Sequence, residues 1–385
     1  MLVTLGGTPV ALIGRARVYV CGITPYDTTH IGHAATAVWS DVAIRFLRAL
    51  GQQVEVTRNV TDVDDALMAA SARTGTPWRS LASQQTFRFA DDMARLGIST
   101  PTNEPLAHNF IDEVIAVTAG LVDLGHAYVA EGSVYFSHEG VAERAGLGYD
   151  EALAIAAERG GQVDDPAKRD PLDSALWVRS GPDDPTWASP WGPGRPGWHV
   201  ECTAMALATL GPGLDLHCGG ADLVFPHHAF EAAQAEAVTG VVPFSRAWLR
   251  AGMVMLNGEK MAKSTGNLVF VDDVLSSHSA AALRLVICQR RWWDSWEFVE
   301  ADLDAAEKRV VALRHAAVRH LAEADPASDD EARREIIDAL ADDLDVPTAL
   351  EVAERAGGPA AELLIEVLGL RPIEHVTRSM LLPNV

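Results

Sequence analysis

Apolar positions along the chain change period several times, and each change marks an element. Residues 17–22 (RVYVCG) form a short apolar run that predicts a buried strand. After a turn containing Pro25, the residues Ile31, Ala34, Ala35, Val38, Val42, Phe46 and Leu50 recur at helical spacing. This predicts a helix over about residues 30–50, closed by Gly51. Residues 54–58 predict a second strand, followed by NVTDVDD (59–65) and helical segments to about residue 96. Strand, helix and strand at this spacing imply an α/β fold with a parallel, doubly wound sheet.

The period then changes. Residues 127–137 (AYVAEGSVYFS) predict a hairpin about a Glu-Gly turn, and acidic, Pro- and Gly-rich sequence follows, including GPDDP and PWGPGRPG. This stretch reads as an insertion between two halves of a nucleotide-binding fold. The second half resumes with GWHVECTAMALATLG, a strand in LDLHCGG and a helix beginning near His228. After Val271 almost everything reads as helical, with residues 302–322 the longest amphipathic stretch and 325–335 a loop and helix start. The expected organisation is a first Rossmann half at 1–124, a connecting insertion at 125–193, a second half at 194–270 and a helical bundle at 271–385.

Composition narrows the function. A chain of 385 residues with 48% hydrophobic content can bury a large core in about two or three domains. No apolar run approaches the roughly 20 residues that span a bilayer, and the N-terminus lacks the basic-then-apolar order of a secretory leader. Neither a membrane nor a secretory route is expected. Cys21, Cys202, Cys218 and Cys288 are scattered and make no disulfide framework, which suits a reducing cytoplasm with thiols free for metal. The net charge of −22 weighs against a polyanion such as tRNA, since nucleic-acid affinity rests on Lys and Arg meeting phosphates. Lysine occurs only at 168, 260, 263 and 308, and two of these lie in one loop.

That loop and one helix start carry candidate chemistry. His30-Ile31-Gly32-His33 opens the first long helix directly after a strand and turn. Histidines there can simply cap the helix. They can also join the helix N–H groups in binding charge that builds on a phosphate, with Gly32 letting a base or ribose lie close. Lys260-Met261-Ala262-Lys263-Ser264 is flanked by Gly258 and Gly266. Such a segment can be a solvated loop, or a mobile one whose ammonium groups neutralise departing pyrophosphate.

The two motifs, in this order and far apart, resemble the HIGH and KMSKS elements of class I aminoacyl-tRNA synthetases. Ala262 stands where the first Ser of KMSKS is usual, which removes a hydroxyl but neither lysine. Cys21, Cys202 of GWHVEC and His227 of FPHH, taken together, resemble the zinc site of cysteinyl-tRNA synthetases and of the related cysteine ligases of mycothiol biosynthesis. The resemblance runs from VYVCG to about residue 370 and includes ADDLDVPTAL. It implies a class I synthetase-type Rossmann domain with an inserted subdomain and a C-terminal helical domain. It also implies one Zn²⁺ per chain whose open position takes the substrate thiol, and ATP with Mg²⁺ as co-substrate. His30, His33, Lys260 and Lys263 would be catalytic. Gly22, Ile23, Thr24, Gly32, Gly219, Gly220, Asp222, Met261 and Ser264 would lie along the ATP and adenylate. Thr61 and Trp198 would line the cysteine pocket, although an N-cap for Thr61 and core packing for Trp198 are the plain alternatives.

Within that pair of families, CGITPYDTTHIGHAAT, the acidic charge and an end soon after EVLGLRP resemble the ligases. Glu231, four residues after His227, resembles the synthetases and stands as a further candidate ligand, on the same helix face. Ala229 replaces the Glu that commonly follows FPHH in both. The expectation is an ATP-dependent cysteine:amine ligase acting on glucosaminyl-inositol, cytoplasmic, without tRNA, as a monomer or small homo-oligomer. Tyr26, Asp27, Thr28 and Thr29 are candidates for the acceptor pocket. The alternatives are a cysteinyl-tRNA synthetase, a ligase for another small amine, and a catalytically silent synthetase-like binding protein.

Overall fold

The computed structural model describes residues 2–26, 29–182, 184–261, 266–319 and 326–372. A hairpin of β1 (Leu2–Leu5) and β2 (Thr8–Ala11) leads into β3 (Arg15–Ile23), α1 (Ile31–Ala49) and β4 (Gln53–Val60). The apolar stripe explains α1: Ile31, Ala34, Ala35, Val38, Val42 and Phe46 are all buried. The helix stops at Leu50 because Gly51 turns away with a φ of 77°. Three helices follow, α2 (Asp65–Thr74), α3 (Trp78–Arg95) and α4 (Ile111–Asp123).

The next layer comprises β5 (Ala127–Ala130), β6 (Ser133–Phe136), α5 (Val141–Arg144), α6 (Tyr149–Glu158), β7 (Ser174–Arg179) and β8 (Gly194–Pro196). Its strands pair antiparallel in sequence order, and Glu131 and Gly132 supply the two positive φ angles of the tight first turn. Because β8 still pairs with β7, this layer runs to Pro196, past the boundary expected at 193.

The chain returns with α7 (Trp198–Leu210), β9 (Leu216–Gly220), α8 (Ala229–Thr239), β10 (Trp248–Ala251), β11 (Val254–Leu256) and β12 (Glu259–Lys260). β9 pairs with β3 on the side opposite β4, giving a parallel sheet in the order β10-β9-β3-β4. The strand order therefore reverses between β3 and β9. Open α/β sheets bind their ligands in the crevice beyond the carboxyl ends at such a reversal.

The remainder is α9 (Val271–Ser277), α10 (Ala280–Cys288), β13 (Trp296–Glu297), α11 (Ala301–Arg319), α12 (Pro326–Ala341), α13 (Val346–Ala356) and α14 (Gly358–Leu368). β13 departs from the helical expectation, pairing with β11 in a small sheet. The acidic stretch read as a loop and helix start is already helical from Pro326. No described helix is long and apolar enough to cross a membrane.

One apolar core joins the parallel sheet, α1 and the C-terminal helices, and a charged pair sits inside it. Arg284 of α10 and Asp41 of α1 are 0% and 1% exposed and meet at 2.6 Å. Arg284 also donates to the carbonyl of Leu368 at 2.7 Å, so one guanidinium ties three helices together. Burial raises the Asp41 pKa, but Arg284 and Arg45 outweigh burial and hold it below the usual carboxylate value. Removing one partner of such a pair costs about 3–5 kcal/mol, because the other charge is left buried alone. Arg284→Met should lose that much stability in denaturant unfolding near pH 7. The native pair contributes above the unfolded carboxylate pKa of about 3.9 and is lost as pH falls through the lower folded value. In the variant Asp41 protonates readily, so the stability difference should shrink below about pH 4.

Candidate metal centre and nucleotide-binding site

Toward Cys21, near the carboxyl end of β3, α7 brings Cys202, the helical turn Val224–His228 brings His227 and α8 brings Glu231. One ligand atom from each of these four buried residues lies within 4.8 Å of all the others. The Cys21 thiol donates to Glu231 Oε1 at 3.8 Å, and His227 Nε2 lies 3.1 Å from the same oxygen. Asn59 Nδ2 donates to Cys202 Sγ at 3.2 Å. On the other side of its ring, His227 Nδ1 is 2.9 Å from His199 Nδ1, which fixes the ring with Nε2 facing the cluster. The Trp198 ring stacks on His227 with centroids 4.3 Å apart.

The charges in this cluster are mutually supporting. Burial alone would lower the His227 pKa, but the charges of Glu231 and Cys202 and their hydrogen bonds together outweigh it and raise the pKa to about 10. Burial tends to raise Cys202, yet its hydrogen bond with Cys21 and the charge of His227 bring it below the ordinary thiol value. Burial, the hydrogen bond with Cys202 and the Glu231 charge push Cys21 the other way. Two sulfurs, one imidazole and one carboxylate form a donor set suited to a borderline-soft divalent ion. Glu231 Oε2 accepts no hydrogen bond, though it lies 3.4 Å from His217 Nε2, so it has room to serve a cation.

Sequence reasoning missed a second layer of histidines. His217 and His228 combine with Cys21 and Glu231 into another four-donor set of the same compactness. Burial holds His217 at about 4 and His228 and His199 well below the usual imidazole value, so all three are neutral. Glu201 was missed as well. It is 1% exposed with both oxygens lacking hydrogen-bond partners, and burial followed by the Asp64 charge pushes its pKa well up. The signal available for all of them was proximity to GWHVEC, LHCGG and FPHH, since each lies within those motifs.

Beside the cluster, Thr61 is no helix cap: its Oγ1 meets Thr24 Oγ1 at 2.9 Å and the Ile23 carbonyl at 3.1 Å. Gly22 must be glycine, because a Cβ would stand 1.8 Å from the Asn59 carbonyl oxygen. Its N–H donates to Asn59 Oδ1 at 2.9 Å.

At the start of α1, His30 is the N-cap, and its Nδ1 accepts from the Gly32 N–H at 3.1 Å. His33 Nδ1 accepts from the His30 N–H at 3.4 Å, and the rings stack 3.8 Å apart. A Cβ on Gly32 would come within 2.8 Å of the His30 ring. The segment after the second motif is stitched to this turn: the Ile31 N–H donates to the Val269 carbonyl, and the Val271 N–H to that of Thr29. Lys260 Nζ donates to Asp222 Oδ2 at 3.1 Å, Gly219 and Gly220 end β9, and Met261 is buried. Lys263 and Ser264 lie outside the described residues, as do Asp27 and Thr28. Thr29 is buried.

The arrangement thus places a thiol-rich metal-capable cluster at the carboxyl end of β3 and a doubly capped helix start directly after it in the chain. The family model for the class I tRNA synthetase (C) catalytic domain matches residues 10–308. The L-cysteine:1D-myo-inositol 2-amino-2-deoxy-alpha-D-glucopyranoside ligase of Thermobispora bispora is 43% identical over 89% of this chain and 84% of its own length. That of Mycolicibacterium vanbaalenii is 44% identical over 89% and 81%, and that of Nocardia farcinica 41% over 94% and 92%. Among solved structures, Mycobacterium tuberculosis methionyl-tRNA synthetase with methionyl-adenylate has a TM-score of 0.64 at 15% identity, covering 93% of this chain and 82% of that one. The Agrobacterium radiobacter leucyl-tRNA synthetase complex has a TM-score of 0.65 at 9% identity, covering 94% and 84%. These two likenesses show the class I synthetase fold. Matched over most of its length by that family model and by these ligases, the chain belongs to the class I cysteinyl-tRNA synthetase-like family of cysteine:glucosaminyl-inositol ligases.

Proposed function

We propose that this protein activates L-cysteine with ATP and Mg²⁺ as cysteinyl-adenylate and transfers the cysteinyl group to the amine of glucosaminyl-inositol, a step of mycothiol biosynthesis. The carboxylate oxygen of cysteine attacks the α-phosphorus and pyrophosphate leaves. The sugar amine then attacks the acyl carbon, loses a proton, and AMP departs with the carboxylate-derived oxygen. The observation that carries the reading is the buried Cys21–Cys202–His227–Glu231 cluster with Trp198 against it. A zinc ion held by Cys21, Cys202 and His227, with Glu231 as a fourth donor, would supply a Lewis acid that takes a thiolate and disfavours serine's hydroxyl.

The chain's own groups do the rest. Thr61 and Trp198 shape the cysteine pocket, and Gly22, Ile23 and Thr24 bring backbone close to the acyl group. His30 and His33 present imidazoles at a helix N-terminus, where negative charge grows on the α-phosphate. Gly32, Gly219, Gly220, Asp222 and Met261, together with Ser264, border the nucleotide. Lys260 and Lys263 neutralise the departing pyrophosphate. The acidic balance fits a small polar acceptor in the cytoplasm better than tRNA, for a monomer or small homo-oligomer. With ATP, Mg²⁺ and cysteine but no acceptor, the protein should exchange labelled pyrophosphate into ATP, and serine should not support exchange. A failure to exchange with any amino acid would sink the reading in favour of a silent binding protein.

A further inference from the structure

A cavity of about 140 Å³ lies at the seam between the antiparallel layer and the parallel-sheet domain. That is many times the roughly 10–15 Å³ needed to admit a single water, so it has room for a small polar ligand group. The activation site adjoins two of its walls. Trp198, one wall, is the ring stacked on His227. Arg159, another, reaches Asp222 Oδ2 at 3.2 Å through Nη1. Asp64, three residues beyond Thr61, lines it too.

The wall chemistry is mixed. Arg195 is 7% exposed, lines the cavity and pairs with Asp65 at 2.5 Å through Nη2, yet its buried Nε has no hydrogen-bond partner. The buried Nε of Arg159 also lacks one. Unpartnered buried donors are costly, and a ligand oxygen relieves that cost. Asp64 and Asp165 line the cavity too; Asp64 Oδ1 accepts from the Ala66 N–H at 2.7 Å and Asp165 Oδ2 from the Tyr135 hydroxyl at 2.6 Å, each with lone pairs left for a ligand donor. Hydroxyl groups both donate and accept, so a polyol satisfies both kinds of wall, and a cationic amine is drawn to the carboxylates. A phosphodiester finds two arginines but also those acids.

We propose that this seam cavity is the acceptor subsite, binding an amine-bearing polyol through the Arg159 and Arg195 guanidinium groups and the Asp64 and Asp165 carboxylates. The proposal rests on the ligase reading above and places the acceptor away from the turn at Tyr26 and Thr29. The inserted layer thereby takes part in acceptor binding, since α6 and the loop after it supply one wall and β8 the other.

Two variants test it. Arg195→Lys keeps the cation but removes the Nε–H, and Gln162→Trp, at an exposed position of the lining, fills the cavity without disturbing the core. The Michaelis constant for glucosaminyl-inositol in amide formation should rise roughly 10- to 100-fold, the scale of one lost hydrogen bond to a charged group. Acceptor-free, cysteine-dependent pyrophosphate exchange should stay within about twofold of wild type, since this subsite takes no part in forming the adenylate. If Arg195→Lys does not fold, Gln162→Trp decides alone. Normal exchange with an unchanged acceptor constant overturns the subsite and leaves the ligase reading standing. Wild-type protein that exchanges nothing with cysteine overturns both.

Discussion

Wild type is expected to carry one zinc per chain, and purified Cys202→Ser protein to have lost most of it. The thiol is one of two sulfurs in the Cys21–Cys202–His227–Glu231 set, and a serine hydroxyl neither ionises readily nor offers a soft donor. Loss of a direct ligand should exceed the roughly 10–100-fold affinity loss that follows removal of an outer partner. Glu231→Gln should weaken binding less, because both sulfurs and His227 remain. The variant also separates the two donor sets. Both contain Cys21 and Glu231, but only one contains Cys202, and the other uses His217 and His228. Metal analysis after gel filtration reads the outcome. Full occupancy in Cys202→Ser would move the ion to the histidine set.

The second large effect is expected at His33. In this structure His33 completes a reciprocal cap with His30, so an alanine there would disturb the helix start as well as the chemistry. Glutamine at the same position can still accept from the His30 N–H, which separates the two roles. His33→Gln should slow cysteine-dependent pyrophosphate exchange by roughly 10²–10³-fold, the scale for losing one transition-state donor. Its melting temperature should stay near that of wild type. A variant that exchanges at the wild-type rate would make His33 a helix cap and nothing more.

Much of the frame was legible because it depends on local periodicity. The stripe from Ile31 to Phe46, the strand carrying Cys21 and the Glu131-Gly132 turn are each decided by a few neighbouring residues. The metal cluster was legible for a different reason: its ligand types are chemically rare and sit in short distinctive strings. What escaped depends on partners far along the chain. Trp296–Glu297 is a strand only because β11 pairs with it. Arg284 lies in a helical stretch, and nothing local says that it meets Asp41 in the core. The neutral histidines around the cluster are buried by three different elements. The seam cavity exists only once the antiparallel layer closes on the parallel-sheet domain, so no single segment announces it.

The amide product tests the central claim most directly. Wild-type protein is incubated with cysteine, ATP, Mg²⁺, glucosaminyl-inositol and bulk tRNA together, and the mixture is resolved by mass spectrometry. The account predicts a cysteinyl–glucosaminyl-inositol amide formed in step with AMP and pyrophosphate, with tRNA uncharged. Cysteinyl-tRNA accumulating with no sugar amide would contradict it.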